Sequence, residues 1–315
     1  MQNTAVAQEV EKKAISRKRR WSLSRGERVT AYVFLSPAVF FLLLLIAWPL
    51  IEVIWNSFQF SNLVNPDVSG FAGLENFRYV FANEYFKTAL MNTVIWTAVS
   101  VAGEYVLGLI SALALNQPVR GRALFRGIIV IPWVVPIVVA GMTWTWLLTP
   151  DYGIFNIWMV KLGLMDRSYY WLGEMNTALL TVTFVNIWRS FPFYTVSLLA
   201  GLQSIPREMM EAAAIDGAGI WKRFRYIVLP QLKTVSLTII VLHMIWTSIN
   251  FDFIWIMTQG GPLHASETLP VLIYRMAMKE YNYGGASALS SMMMGLMIVC
   301  AFVYFMYNRM QRNGR

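Results

Sequence analysis

Residues 211–230 read EAAAIDGAGIWKRFRYIVLP, a polar interruption late in an otherwise apolar chain. Pro206 stands ahead of it, where the first turn of a helix loses no hydrogen bond to a proline. Met209, Met210, Ala212 and Ala213 give that helix a small apolar face. Gly217 and Gly219 should stop it, because glycine adopts backbone angles that other residues avoid. Trp221, Phe224, Arg225 and Val228 have the spacing of a second short helix, expected to end before Pro230. The stretch therefore reads as a helix-turn-helix on a membrane surface, a shape that presses into a partner's groove. It holds no carboxylate pair, metal cluster or nucleophile with a base, so no catalytic residue is assigned.

The membrane setting comes from composition. Of 315 residues, 57% are hydrophobic and only 14% charged, whereas a soluble surface needs roughly 25%. A span needs about 20 apolar residues. Six stretches qualify: 32–55, 89–115, 127–148, 178–202, 234–257 and 286–307. The first is too long for a signal-peptide core and should stay attached. The expected fold is all-α and polytopic, with six transmembrane helices spread over residues 31–315 behind a basic tail, residues 1–30. The single cysteine, Cys300, excludes an internal disulfide.

The net charge of +9 is a matter of topology rather than of nucleic acid. With both termini inside, the tail, 116–126, 201–233 and 308–315 hold 19 of the 26 Lys and Arg residues. The outer segments 56–88, 149–177 and 258–285 hold six, and Arg189 lies within a span. That asymmetry puts the 203–231 loop in the cytoplasm, independently of any motif.

The motif has a counterpart. Glu211, Ala212 and Ala213, then three residues, Gly217, nine residues, and Ile227, Val228, Leu229 and Pro230 resemble the EAA loop of ABC-importer membrane subunits. Asp216 and Ala218 complete the DGA found there. The segment GLENF at 73–77, TQGGP at 258–262 and YGGASA at 283–288 resemble carbohydrate-importer permeases of the maltose, lactose and glycerol-phosphate type. The likeness runs from about residue 32 to the end. It implies a heterodimer with a second permease, two cytoplasmic ATPase subunits and an extracytoplasmic solute-binding protein. One ATPase would dock on Glu211, Ala212, Ala213, Asp216, Gly217, Ile227, Leu229 and Pro230. ATP and magnesium would sit in the ATPases, with no cofactor and no metal in this chain. The implied location is a bacterial or archaeal cell membrane.

Polar residues inside spans are costly and should turn inward. Asn186, Ser190 and Phe193 share one helical face, bordered by Arg189. His243, Trp246, Thr247 and Asn250 share another at i, i+3, i+4 and i+7. Amides, hydroxyls and an imidazole beside flat aromatics suit a neutral polyol. The resemblance implies that these two helices carry the sugar contacts. The alternative is that the same groups bond neighbouring helices. Arg189 needs a partner, and Glu104 is the expected one; otherwise it would meet an anionic substrate such as a sugar phosphate or sulfonate. Asp252 reads as structural. Pro132, Pro136 and Pro192 imply either packing kinks or a water-lined path.

Other classes fit less well. No GxxxxGK[ST] is present, so ATP hydrolysis by a phosphate loop is excluded. HExxH and GxSxG are absent too, and His264 with Glu267 falls short of a metal site. A secondary transporter or channel would use the same spans without an ATPase. A membrane enzyme would need an interfacial acid–base pair.

Overall fold

The computed structural model describes residues 25–61, 70–118 and 120–313. Most of the basic tail lies outside them, and helix begins already at Arg25. Two units divide the chain, 1–52 and 53–315. In the first, α1 (Arg25–Leu42) passes through a widened π turn (Leu43–Ala47) into α2 (Trp48–Asn56), whose last four residues belong to the second unit. The first unit's apolar side chains are exposed almost throughout.

The second unit continues with a two-stranded ribbon, β1 (Gln59–Phe60) against β2 (Gly70–Phe71). Then follow α3 (Glu75–Ala82), α4 (Phe86–Asn116), α5 (Arg122–Val134), α6 (Ile137–Leu147) and α7 (Ile154–Lys161). After these come α8 (Ala178–Gln203), α9 (Arg207–Ile215), α10 (Ile220–Arg223), a second π turn (Phe224–Val228) and α11 (Leu229–Ser248). The last elements are α12 (Asp252–Met257), α13 (Leu269–Met278) and α14 (Tyr283–Asn313).

Among the described residues, four helices are long and apolar enough to cross a membrane, or five if the bent pair α5–α6 counts as one. Helix α8 has the length, but Asn186 and Arg189 lower its apolarity, and more than half of it is buried. It packs along α4 at close range. A Cβ on Gly108 would lie 2.4 Å from the Tyr194 Cβ, and one on Gly103 would lie 2.5 Å from Ile187. Small residues bring membrane helices together in this way.

Three expectations of regular spans are corrected. The third span is not one rod: α5 and α6 meet at 91°. Val135, held extended by the Pro136 that follows it, makes the break. Pro132 and Pro192 lie inside helices that continue past them. The fifth span does not reach Met257 as one helix, because α11 stops at Ser248 and α12 starts at Asp252. Nor does the short helix after Gly219 end before Pro230. Residues Ile220–Ser248 run as one helix, and the π turn before Pro230 accommodates the ring and the missing N–H. The first π turn likewise ends two residues before a proline, Pro49. Widened turns are a recognised way for a helix to bend without ending.

Outside the long helices, side chains tie down the loops. Asn76 of GLENF donates to the carbonyls of Ser57 (2.9 Å) and Gln59 (2.8 Å). Buried Asn156 donates to the carbonyls of Leu148, Thr149 and Tyr169 and accepts from Tyr169 N–H and Trp171 Nε1. Burial and the Glu280 carboxylate push the Tyr79 phenol above its ordinary pKa, and its hydroxyl bonds to Glu280 Oε2 at 3.3 Å.

Candidate functional site

The polar residues inside the helical bundle converge on Glu104. This carboxylate on α4 is fully buried. Asn186 Nδ2, from α8, donates to its Oε1 at 3.0 Å. His243 Nδ1, from α11, lies 2.9 Å from its Oε2. Three helices distant in sequence thus meet at one side chain. The expected pairing with Arg189 does not form. Arg189 Nε instead donates to the Val135 carbonyl at 3.3 Å, where the break before Pro136 leaves that oxygen without a helical partner. The two side chains serve different neighbours, Asn186 bonding Glu104 on α4 and Arg189 bonding the α5–α6 break.

Aromatic rings pack around the imidazole. Its centroid lies 4.8 Å from Phe193, 4.6 Å from Tyr194 and 5.5 Å from Trp246. Trp133 on α5 extends the row, 5.9 Å from Phe193. The outer rings are open, with Trp246 50% and Trp133 45% exposed, so the cluster has a buried polar floor and an accessible aromatic rim. Among the described residues, four buried polar atoms on the helices forming that floor lack a partner: Thr97 Oγ1, Ser100 Oγ, Tyr194 Oη and His243 Nε2.

Of the sequence candidates, Asn186, Phe193, His243 and Trp246 come together here. Ser190 is buried on α8. Thr247 is buried too, and its carbonyl accepts Trp96 Nε1 at 2.9 Å, fixing α11 to α4. Asn250 departs from the expected stripe because α11 ends before it; its Oδ1 accepts from Phe253 N–H at 3.3 Å, at the start of α12. Asp252 is the exposed first residue of that helix. Sequence reading missed Glu104 as the shared partner, although a lone acid in an apolar run was the available signal. It also missed Trp133 and Tyr194, which no polar pattern marks.

The 203–231 loop is a second candidate surface. Helix α9 ends in a left-handed Gly217 (φ +76°). Ala218 N–H reaches the Ala213 carbonyl at 2.9 Å and Gly217 N–H the Ala214 carbonyl at 3.1 Å, the paired bonds of a glycine helix stop. Ile215, Ile220, Trp221 and Tyr226 stand 87%, 82%, 69% and 72% exposed, an apolar surface unusual for a loop. Of the expected docking residues, Glu211, Asp216, Gly217 and Pro230 are exposed. Ala212 is exposed as well, while Ala213, Ile227 and Leu229 are half-buried.

Residues 258–268 form an ion-pair knot. Buried Glu267 pairs with Arg275 Nε at 3.0 Å and with His264 Nδ1. The Tyr85 ring stacks on His264 at 3.5 Å. Asn92 Nδ2 donates to the Glu267 and Ala265 carbonyls at 2.9 and 3.1 Å.

Apolar long helices, a buried polar floor and an apolar loop outside the bundle define a membrane transport component. The chain belongs to the family of binding-protein-dependent transport system inner membrane components, which it matches over residues 104–313. It is 34% identical over 294 residues to the trehalose/maltose transport system permease protein MalF of Thermococcus litoralis, covering 92% of this chain and 97% of that one. It is 33% identical over 295 residues to the sulfoquinovosyl glycerol transport system permease protein SmoG of Agrobacterium fabrum, covering 94% and 95%. Its fold matches a chain of a bacterial alginate ABC transporter, solved with an alginate pentasaccharide-bound periplasmic protein, at TM-score 0.77. There the identity is 22%, with 94% and 98% of the two chains covered. The chain is therefore an integral membrane permease of an ABC transport system, a transport component rather than an enzyme.

Proposed function

We propose that this permease supplies half of the translocation pathway for a sugar or sugar derivative. The observation that carries the reading is the cluster of Asn186, His243, Phe193 and Trp246 on two helices, polar below and aromatic above. Such a surface bonds hydroxyls and stacks on the apolar face of a sugar ring. Relatives named for trehalose, maltose and sulfoquinovosyl glycerol support it. In this reading the chain crosses the membrane six times, with α8 and the bent α5–α6 pair as two of the spans and both termini in the cytoplasm. A second permease completes the pathway, and an extracytoplasmic binding protein delivers the sugar. The 203–231 loop docks on one of two ATPases, which bind ATP and magnesium. Closure of the ATPases displaces the loop and exposes the pathway alternately to each side.

The test is uptake of labelled maltose and trehalose by the reconstituted transporter. Asn186→Ala should cut uptake of the transported sugar strongly while the subunit still assembles. Unchanged uptake and unchanged substrate-stimulated ATPase would remove the pathway assignment.

A second reading, an anionic sugar, is favoured by Arg189. Its guanidinium is half-buried, and no carboxylate among the described residues pairs with it. Arg189→Met would then abolish uptake of a sulfonated or phosphorylated sugar and spare a neutral one.

A further inference from the structure

We infer that Glu104 is the positioning residue of the pathway, holding Asn186 and His243 together so that His243 Nε2 stays free to accept a sugar hydroxyl. This inference rests on the carbohydrate reading of the same cluster. Glu104 lies on α4, outside the two helices that sequence reading assigned to substrate. Its two oxygens are divided between the two candidates: Asn186 Nδ2–H donates to Oε1 and His243 Nδ1 faces Oε2. A carboxylate with both oxygens accepting requires the proton on Nδ1. In the neutral imidazole Nε2 is then an acceptor, and the structure gives it no partner although it is buried.

An unpaired buried acceptor is costly and needs an explanation. Among the described residues no side chain supplies the missing hydrogen: the rings packed on the imidazole are Phe193, Tyr194 and Trp246, and Tyr194 Oη is without a partner too. The cluster is thus complete on the Glu104 side and incomplete on the other. Phe193 and Trp246 pack on the imidazole, and Trp246 is half exposed, so in this proposal a sugar hydroxyl reaches Nε2 from the aromatic side. A neutral polyol is the ligand class that brings both a hydroxyl donor for Nε2 and an apolar face for the rings.

The test uses the whole reconstituted transporter, with Glu104→Leu, Glu104→Gln, His243→Leu and the Glu104→Leu/His243→Leu pair. Maltose and trehalose are the probes. Glu104→Leu should lower uptake per assembled transporter about tenfold or more, with binding-protein-stimulated ATPase within about twofold. Glu104→Gln, which keeps one acceptor oxygen, should recover part of the loss, and the double variant should be no worse than either single one. Parallel loss of uptake and ATPase, or no loss, overturns the assignment. A second arm needs no sugar: with 15N-histidine confined to this subunit, His243 should carry its proton on Nδ1, and Glu104→Leu should move it to Nε2. A proton on Nε2 in the unaltered chain overturns the inference. If the unaltered transporter moves neither disaccharide, the neutral-disaccharide reading fails, and the tautomer still decides the role of Glu104.

Discussion

Glu104 Oε2 and His243 Nδ1 stand 2.9 Å apart although 139 residues separate them in sequence. With Asn186 on the other oxygen, this contact pins three helices at one depth of the bundle. Removing the carboxylate strands two donors in a low-dielectric setting, where a broken buried pair costs about 3–5 kcal/mol. Glu104→Ala should therefore lower the thermal unfolding temperature of the detergent-solubilised complex, and Glu104→Gln should lower it less. Equal melting of all three would show that the contact contributes nothing to stability.

The α4–α8 contact has no room for a side chain at position 108, where a Cβ would lie 2.4 Å from Tyr194 Cβ and 3.1 Å from the Thr195 nitrogen. Backbone on one side prevents relief by a rotamer change. Gly108→Ala should destabilise the subunit by about 1–3 kcal/mol, the usual cost of overpacking. Gly127→Ala meets nothing within 4 Å and serves as the control in the same melting assay.

Gly217 is free of neighbours yet has φ +76°. A substitution there strains the backbone without a clash, by roughly 1–2 kcal/mol for an alanine. Gly217→Pro cannot adopt that angle at all. It should leave the protein inserted in the membrane while uncoupling uptake from ATP hydrolysis. Full transport by Gly217→Pro would favour a carrier that works without an ATPase.

The knot at Glu267 makes a separate prediction. Glu267→Gln leaves Arg275 without its buried counter-charge. The 258–268 segment should then be cut by added protease much faster than in the unaltered chain. Arg275→Met alone should have a similar effect, and the double variant should add little. Strict additivity would mean that the two residues act separately.

Much of this architecture was legible because it follows from local rules. The glycine stop at Gly217 is fixed by nearest neighbours, and the start of α8 at Ala178 follows from where the apolar stretch begins. The partner of Glu104 was not, because choosing between Asn186 and Arg189 requires the rotation of α8 about its axis, which is set by Gly103 and Gly108 on the facing helix. The continuation through Pro230 was hidden for a different reason. A proline ends most helices, and only a widened turn just ahead of it, here Phe224–Val228, reverses that rule. The same holds for Asn250, whose assignment to a helical stripe assumed a helix that stops at Ser248.

That unbroken run from Ile220 to Ser248 has a mechanical corollary. At 1.5 Å per residue, Trp221 and His243 lie about 33 Å apart on a single shaft. A push delivered at the Trp221 end would reach the imidazole directly, with no loop in between to absorb it. The one departure from α geometry along it is the five-residue π turn beside Pro230, the place where such a lever would flex.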